Sequence, residues 1–130
     1  MTDNQFNQAQ EWFEDLRDQL LNIVTEIDGN EFIKTSWNHK HDGGGTMSKI
    51  KGPIVEKGGV NISAVHGPLP PTMQAYFKVE DCNFFACGLS LVLHPKNPMV
   101  PTVHANWRYF EMYNKQGEII DSWFGGGQDL

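Results

Sequence analysis

The sequence predicts an α+β domain, with an N-terminal helix packed on a largely antiparallel β-sheet. Three observations predict it. Apolar residues recur at steps of three and four through the start of the chain, the period of a helix with one covered face. From residue 31 onward the period drops to two, the alternation of half-buried strands. The strand-like runs are joined by short Gly- and Pro-rich connections, too short for the helical crossovers that parallel pairing needs. At 130 residues the chain reads as a single domain, 1–130, by length. No internal repeat or low-complexity tract interrupts it.

The helix is carried by Phe6, Ala9, Trp12, Phe13, Leu16, Leu20, Ile23, Val24 and Ile27. Thr2, Asp3 or Asn4 can cap its start, and Gly29 stands where a left-handed residue ends a helix. Trp12 and Phe13 are both core candidates. The expected strands follow as Phe32–Trp37, Met47–Lys51, Ile54–Lys57, Val60–Val65, Ala75–Val79, Phe84–Leu93, Thr102–Tyr113 and Ile119–Phe124. Between them, Gly43-Gly44-Gly45, Gly52-Pro53, Gly58-Gly59, Gly67–Pro71, Pro95–Pro98 and Asn114–Gly117 read as connections.

Composition excludes several classes of function. Four Trp, eight Phe and three Tyr, with 39% hydrophobic residues, are too rich for a disordered chain. Ten Lys and Arg against 16 Asp and Glu give a net charge of −6, the wrong sign for nucleic acid or an anionic membrane surface. No apolar run approaches the roughly 20 residues of a membrane span, and the first residues lack the basic and apolar regions of a secretion signal. Cys82 and Cys87 are too few for a disulfide framework. The expectation is a reduced, cytoplasmic domain. Neither Gly43–Gly45 nor Gly125–Gly127 makes a phosphate-binding fingerprint. His39, His41 and Asp42 could in principle bind a metal, but beside three glycines they read as a solvated loop, because ordering such ligands costs entropy.

The chemistry concentrates between Phe84 and Tyr113. Alternation puts Phe85, Cys87, Leu89 and Leu91 on one face, with Ala86, Gly88, Ser90, Val92 and His94 on the other. In the next strand Val103, Ala105, Trp107 and Tyr109 share a face, opposite His104, Asn106, Arg108 and Phe110. Pairing His94 near His104 brings Ser90 near Arg108, over a floor of Gly88 and Ala86. Arg108 offers a planar fork for a carboxylate or phosphate. Ser90 and Asn106 can orient such a group, and the two histidines can pass protons near neutral pH. A lone histidine on such a face is ordinary surface; the joint pattern suits a small anionic substrate that needs acid–base help, and the small-residue floor leaves room for something large and flat. A metal-dependent hydrolase on His94 and His104 is weaker, since catalytic zinc wants three protein ligands.

These residues resemble a known family. Ser90–Pro98 followed by Pro101–Glu111 is similar to the signature of the oxygen-dependent coproporphyrinogen III oxidases. Glu56–Ser63 with Val65-His66-Gly67, Trp123–Leu130, and Trp37 with Gly43–Gly45 resemble further blocks of that family in the same order. The resemblance implies an enzyme of haem biosynthesis that oxidatively decarboxylates two propionates of coproporphyrinogen III to vinyl groups, giving protoporphyrinogen IX. Dioxygen is the co-substrate and no prosthetic group is required. It implies a flat antiparallel sheet sandwiched by helices, and a homodimer in which Ile54–Ser63 takes part. Carried over, His104 is the proton donor, and Ser90, Asn106, Trp107 and Arg108 bind substrate. His94 and His104 match proposed ligands of a divalent metal. The chain departs from the family at His39, where an Arg is usual, and at Thr46, where a fourth Gly is usual. Family chains run to roughly 300 residues, twice an ordinary domain, so the expectation is an N-terminal portion whose activity alone is incomplete. The alternative is a non-catalytic tetrapyrrole-binding or dimerising fragment.

Overall fold

The computed structural model describes residues 2–40 and 42–130, with side chains described from Gln5 onward. The cap assigned to Thr2, Asp3 or Asn4 and any ligand role of His41 lie outside the described side chains. Helix α1 (Thr2–Asp28) is followed by strands β1 (Ile33–Asn38), β2 (Asp42–Ile50) and β3 (Val55–Pro68), a short helix α2 (Pro71–Phe77), and strands β4 (Asn83–Pro95), β5 (Val103–Tyr113) and β6 (Ile119–Asp129). The six strands form one sheet in sequence order, every neighbour antiparallel. This is the α+β meander that the change of period predicts. Among the described residues no helix is long and apolar enough to cross a membrane.

Helix α1 lies on one face of β3, β4 and β5. Its stripe buries Ala9, Phe13, Leu21 and Val24, and the sheet answers with Val60, Ile62, Phe85, Leu89 and Tyr109. Burial of each large apolar side chain here contributes roughly 2–3 kcal/mol. Phe13 is buried as expected, whereas Trp12 is 59% exposed. One residue along a helix is a rotation of about 100°, so two adjacent aromatics cannot both face the sheet.

The helix ends at Gly29 (φ 93°), whose N–H donates to the Thr25 carbonyl at 2.8 Å. The last helical residue, Asp28, is 5% exposed and turns its carboxylate onto the β2–β3 connection. It accepts the backbone N–H groups of Val55 (2.7 Å), Ile54 (2.9 Å) and Asn30 (3.3 Å). The bond from Val55, helped by those from Ile54 and Asn30 and opposed by burial, holds this carboxyl below its ordinary range. A carboxyl whose pKa folding lowers stabilises the fold above its unfolded pKa, and that stability is lost as pH falls through the lowered value. Asp28→Asn is therefore expected to lower the melting temperature at neutral pH. The gap to the wild-type chain should close on acidification through the carboxylate range, as thermal melts of both would show.

Four expectations are corrected. Ala75–Val79 is not a strand; Pro71–Phe77 is a helical turn. Pro71 sits at its first position, where a missing N–H is harmless, and Lys78 (φ 58°) closes it in the left-handed region. Gly58-Gly59 is not a connection but lies inside β3, where Gly58 is crowded by Ile50, Leu93 and Val55. Gly43–Gly45 likewise belongs to strand β2, and β6 runs past the expected Phe124 through Gly125–Gly127. The β4–β5 register is shifted by two residues, with Val92 opposite His104, Ser90 opposite Asn106 and Gly88 opposite Arg108.

Helix α2 sits on the other face of the sheet, at one end only. Met73 and Phe77 pack there with Leu69, Cys82, Met112, Phe84 and Phe110. The rest of that face carries no helix among the described residues.

Candidate functional site

The uncovered face is laid out by the register. One row across the sheet reads Met47, Asn61, Ser90, Asn106 and Gly127 from β2 to β6; the next reads Gly45, Ser63, Gly88, Arg108 and Gly125; a third reads Lys49, Gly59, Val92, His104 and Asp129. Residues directly opposite in an antiparallel pair point to the same side, so these residues share one surface. Five of the fifteen are glycine and two are serine, and the result is a shallow floor rather than a packed layer. A depression of about 780 Å³ lies over it, lined by Asn61, Ser90, Asn106, Arg108, Trp123 and Gly127 among others. That is the size of a pocket for a cofactor-scale molecule.

One end of the floor is walled by aromatics. Phe84 stacks on Phe110 (ring centroids 5.7 Å, 6° between planes), Phe110 on Trp123 (4.6 Å), and Trp123 meets Phe77 of α2 (5.5 Å). Such a wall gives a flat ring system an apolar edge to rest against.

Arg108 projects from the middle of the floor. Its stem crosses Gly88, where an added Cβ would lie 3.4 Å from Arg108 Cγ. The side chain is exposed and makes no ion pair or hydrogen bond with the described residues. A guanidinium left with all its donors unspent is poised for an incoming carboxylate. His104, with 42% of its side chain exposed, has Nδ1 3.7 Å from Asp129 Oδ2. The carboxylate faces that one ring nitrogen, and an imidazole is a side chain able to pass protons near neutral pH.

Ser90, His104, Asn106 and Arg108 thus come together on one face, and the two-residue shift in register leaves that face unchanged because the side-chain period is two. His94 shares the face but stands at its rim, 3.4 Å from Thr102 Oγ1. Trp107 does not join them. Lying between Asn106 and Arg108, its indole must turn to the opposite side, where it packs on the core under α1. The metal set does not form either: His94 and His104 are offset along the strands, and no three His, Cys, Asp or Glu among the described residues gather closely enough to hold an ion.

Three members of the site escape sequence reasoning. Asn61 pairs with Ser90, and its Oδ1 accepts from Trp37 Nε1 at 3.4 Å while the indole covers Gly45. Its signal is the alternation of Asn61 with Ser63. Trp37 and Asp129 give no comparable signal, since each owes its place to pairing across the sheet.

A helix thus covers one face of an antiparallel sheet, and the other face is laid out as a floor of glycines and neutral donors around an unpaired cation. The comparisons with known proteins are specific. Residues 8–130 match the family described as coproporphyrinogen III oxidase, and the chain belongs to that family. It is 41% identical over 134 residues to the oxygen-dependent coproporphyrinogen-III oxidase of Rickettsia felis, covering 94% of this chain and 46% of that protein. It is 45% identical over 120 residues to the protein of the same name from Prochlorococcus marinus, covering 89% of this chain and 33% of that protein. The chain spans between a third and a half of the length of these curated relatives.

Proposed function

We propose that this chain provides the substrate floor for oxidative decarboxylation of coproporphyrinogen III to protoporphyrinogen IX. The observation that carries the reading is the unpaired Arg108 at the centre of a glycine floor, flanked by Ser90 and Asn106. Arg108 holds a propionate carboxylate, Ser90 and Asn106 orient it, and His104 handles the proton with Asp129 behind it. Trp107 acts from beneath, by packing β5 onto the core. Each reacting propionate loses carbon dioxide and a hydrogen to become a vinyl group, and dioxygen takes the two electrons.

A second reading, tetrapyrrole binding without turnover by this chain alone, is favoured by its span of less than half of each relative. A homodimer belongs to the same proposal. Most of Ile54–Ser63 lies within β3, flanked by β2 and β4, so a second copy would meet that segment through its exposed residues Ile54 and Glu56.

Titration with coproporphyrin III, the stable oxidised form of the substrate, tests the floor directly. Arg108→Ala is expected to weaken binding about tenfold or more, since a charge-assisted hydrogen bond contributes roughly 1.5–3 kcal/mol. Unchanged affinity would overturn the carboxylate clamp. Conversion of coproporphyrinogen III under air by the same preparation separates the two readings.

A further inference from the structure

We propose that the far end of the floor is a second carboxylate-binding subsite, in which Lys49 and Lys57 receive the carboxylates most distant from Arg108. The proposal rests on the tetrapyrrole reading of the floor and extends it to the far side of the ligand.

A second depression of about 880 Å³ opens beside the first, and Asn61 and Ser90 line both. The two are therefore one continuous surface that crosses the sheet diagonally. The second end differs in charge. Lys49, Lys51 and Lys57 line it against the single carboxylate of Glu56, with His94 at its rim. In a chain of net charge −6, a local excess of cations facing a cavity is a specific feature. Lys49 and Lys57 form no ion pair with the described residues. Lys49 stands opposite Gly59, a position with no side chain, and Met47, whose Sδ lies 3.6 Å from where a Gly59 Cβ would be, supplies an apolar bed with Val92.

The dimensions agree with a four-ring molecule. Arg108 and Lys49 are three strands apart and four residues offset along the strands, or ~14 Å by ~13 Å at standard sheet spacings. Two long side chains reaching inward shorten that diagonal to the scale of a macrocycle with carboxylates on opposite edges. The division of labour follows from side-chain chemistry. The Arg108 fork fixes the plane of the carboxylate it holds, whereas lysine is a mobile point charge that attracts without orienting. The far end thus selects for the number of carboxylates and the near end for the position of one of them.

The test compares coproporphyrin III, with four carboxylates, against protoporphyrin IX, whose two lie side by side on one edge within reach of Arg108 alone. Affinities are measured by fluorescence titration for the wild-type chain, Lys49→Met/Lys57→Met and Arg108→Ala. Both lysines are exposed, and unchanged circular dichroism would confirm that the double variant folds. The double variant is expected to lose about tenfold for coproporphyrin and less than twofold for protoporphyrin, given roughly 0.2–1 kcal/mol per exposed ion pair. Arg108→Ala is expected to weaken both. Equal losses for the two porphyrins in the lysine variant would overturn the subsite as a general charge effect. No loss there, with Arg108→Ala still weakening both, would overturn the subsite and leave the floor standing. No loss in either variant would overturn both.

Discussion

Gly127→Val is expected to weaken tetrapyrrole binding by up to about a hundredfold while leaving the fold as stable as before or slightly more so. Gly127 lies in β6 opposite Asn106, and a Cβ added to it would meet nothing within 4 Å. Its φ is not in the left-handed region, so a β-branched residue suits the strand and removes unfolded-state freedom. The two methyl groups would stand above the floor next to Asn106 and Ser90, in the space a flat ligand must occupy. Overpacking of a fitted site costs up to roughly 3 kcal/mol, or about a hundredfold in affinity. Gly126→Val is expected to lose stability and binding together. Gly126 faces the other side, and its added Cβ would collide with the backbone carbonyl of Asn106, which β5 and β6 can relieve only by separating. Its melting temperature should fall, and binding should fail because the edge strand has left. Thermal melts and coproporphyrin titrations of the two variants separate a glycine kept open for a ligand from one required by backbone approach. Wild-type affinity in Gly127→Val would show that the floor is not where the ligand lies.

The same glycines mark the limit of what the sequence discloses. Periodicity finds α1, β4 and β5 because each repeats its apolar spacing over many residues. It places Ser90, His104, Asn106 and Arg108 on one face even with the register two residues out. The register is missed because Pro95, Pro98 and Pro101 conceal where the turn begins; His94 pairs with no histidine and meets Thr102 instead. Gly58-Gly59, Gly43–Gly45 and Gly125–Gly127 read as breaks because glycine disfavours isolated strands. Here pairing with the neighbouring strands holds them in the sheet, and at Gly45, Gly59, Gly125 and Gly127 the missing side chains make the floor. Pro71–Phe77 is misread because Ala75, Phe77 and Val79 alternate over only three points, too few to outweigh a proline at a helix start. Lys49 and Lys57 lie in separate strands, and nothing in their local sequence says that they share a cavity.

The largest loss of stability from removing a single atom is expected at Tyr109→Phe. Tyr109 and Glu111 follow one another on the covered face of β5, 1% and 0% exposed. The phenol donates to Glu111 Oε2 at 2.7 Å, and Glu111 Oε1 has no partner among the described residues. The surroundings record the isolation of this carboxylate. Burial, followed by the charge of Glu111, pushes the Cys87 thiol up to about 12, and burial and the bond to Glu111 raise the Tyr109 phenol. Removing the phenol oxygen strips the carboxylate of that donor, and breaking a buried charged pair from one side costs about 3 kcal/mol or more. In a domain of this size that corresponds to roughly 10 °C in melting temperature. Tyr109→Phe/Glu111→Leu should recover most of the loss, because an apolar pair leaves nothing unsatisfied, and Glu111→Leu alone should be the milder single change. The cycle of four proteins, measured by denaturant unfolding, is therefore expected to be strongly non-additive. Additive effects would mean that the phenol is not what makes the carboxylate tolerable there. The consequence reaches the other side of the sheet. Arg108 and Phe110 alternate with Tyr109 and Glu111 along the same strand, so a shift of β5 on losing the pair is expected to move Arg108 as well. In Tyr109→Phe, coproporphyrin affinity should weaken by a larger factor than in Glu111→Leu, in step with the loss of stability.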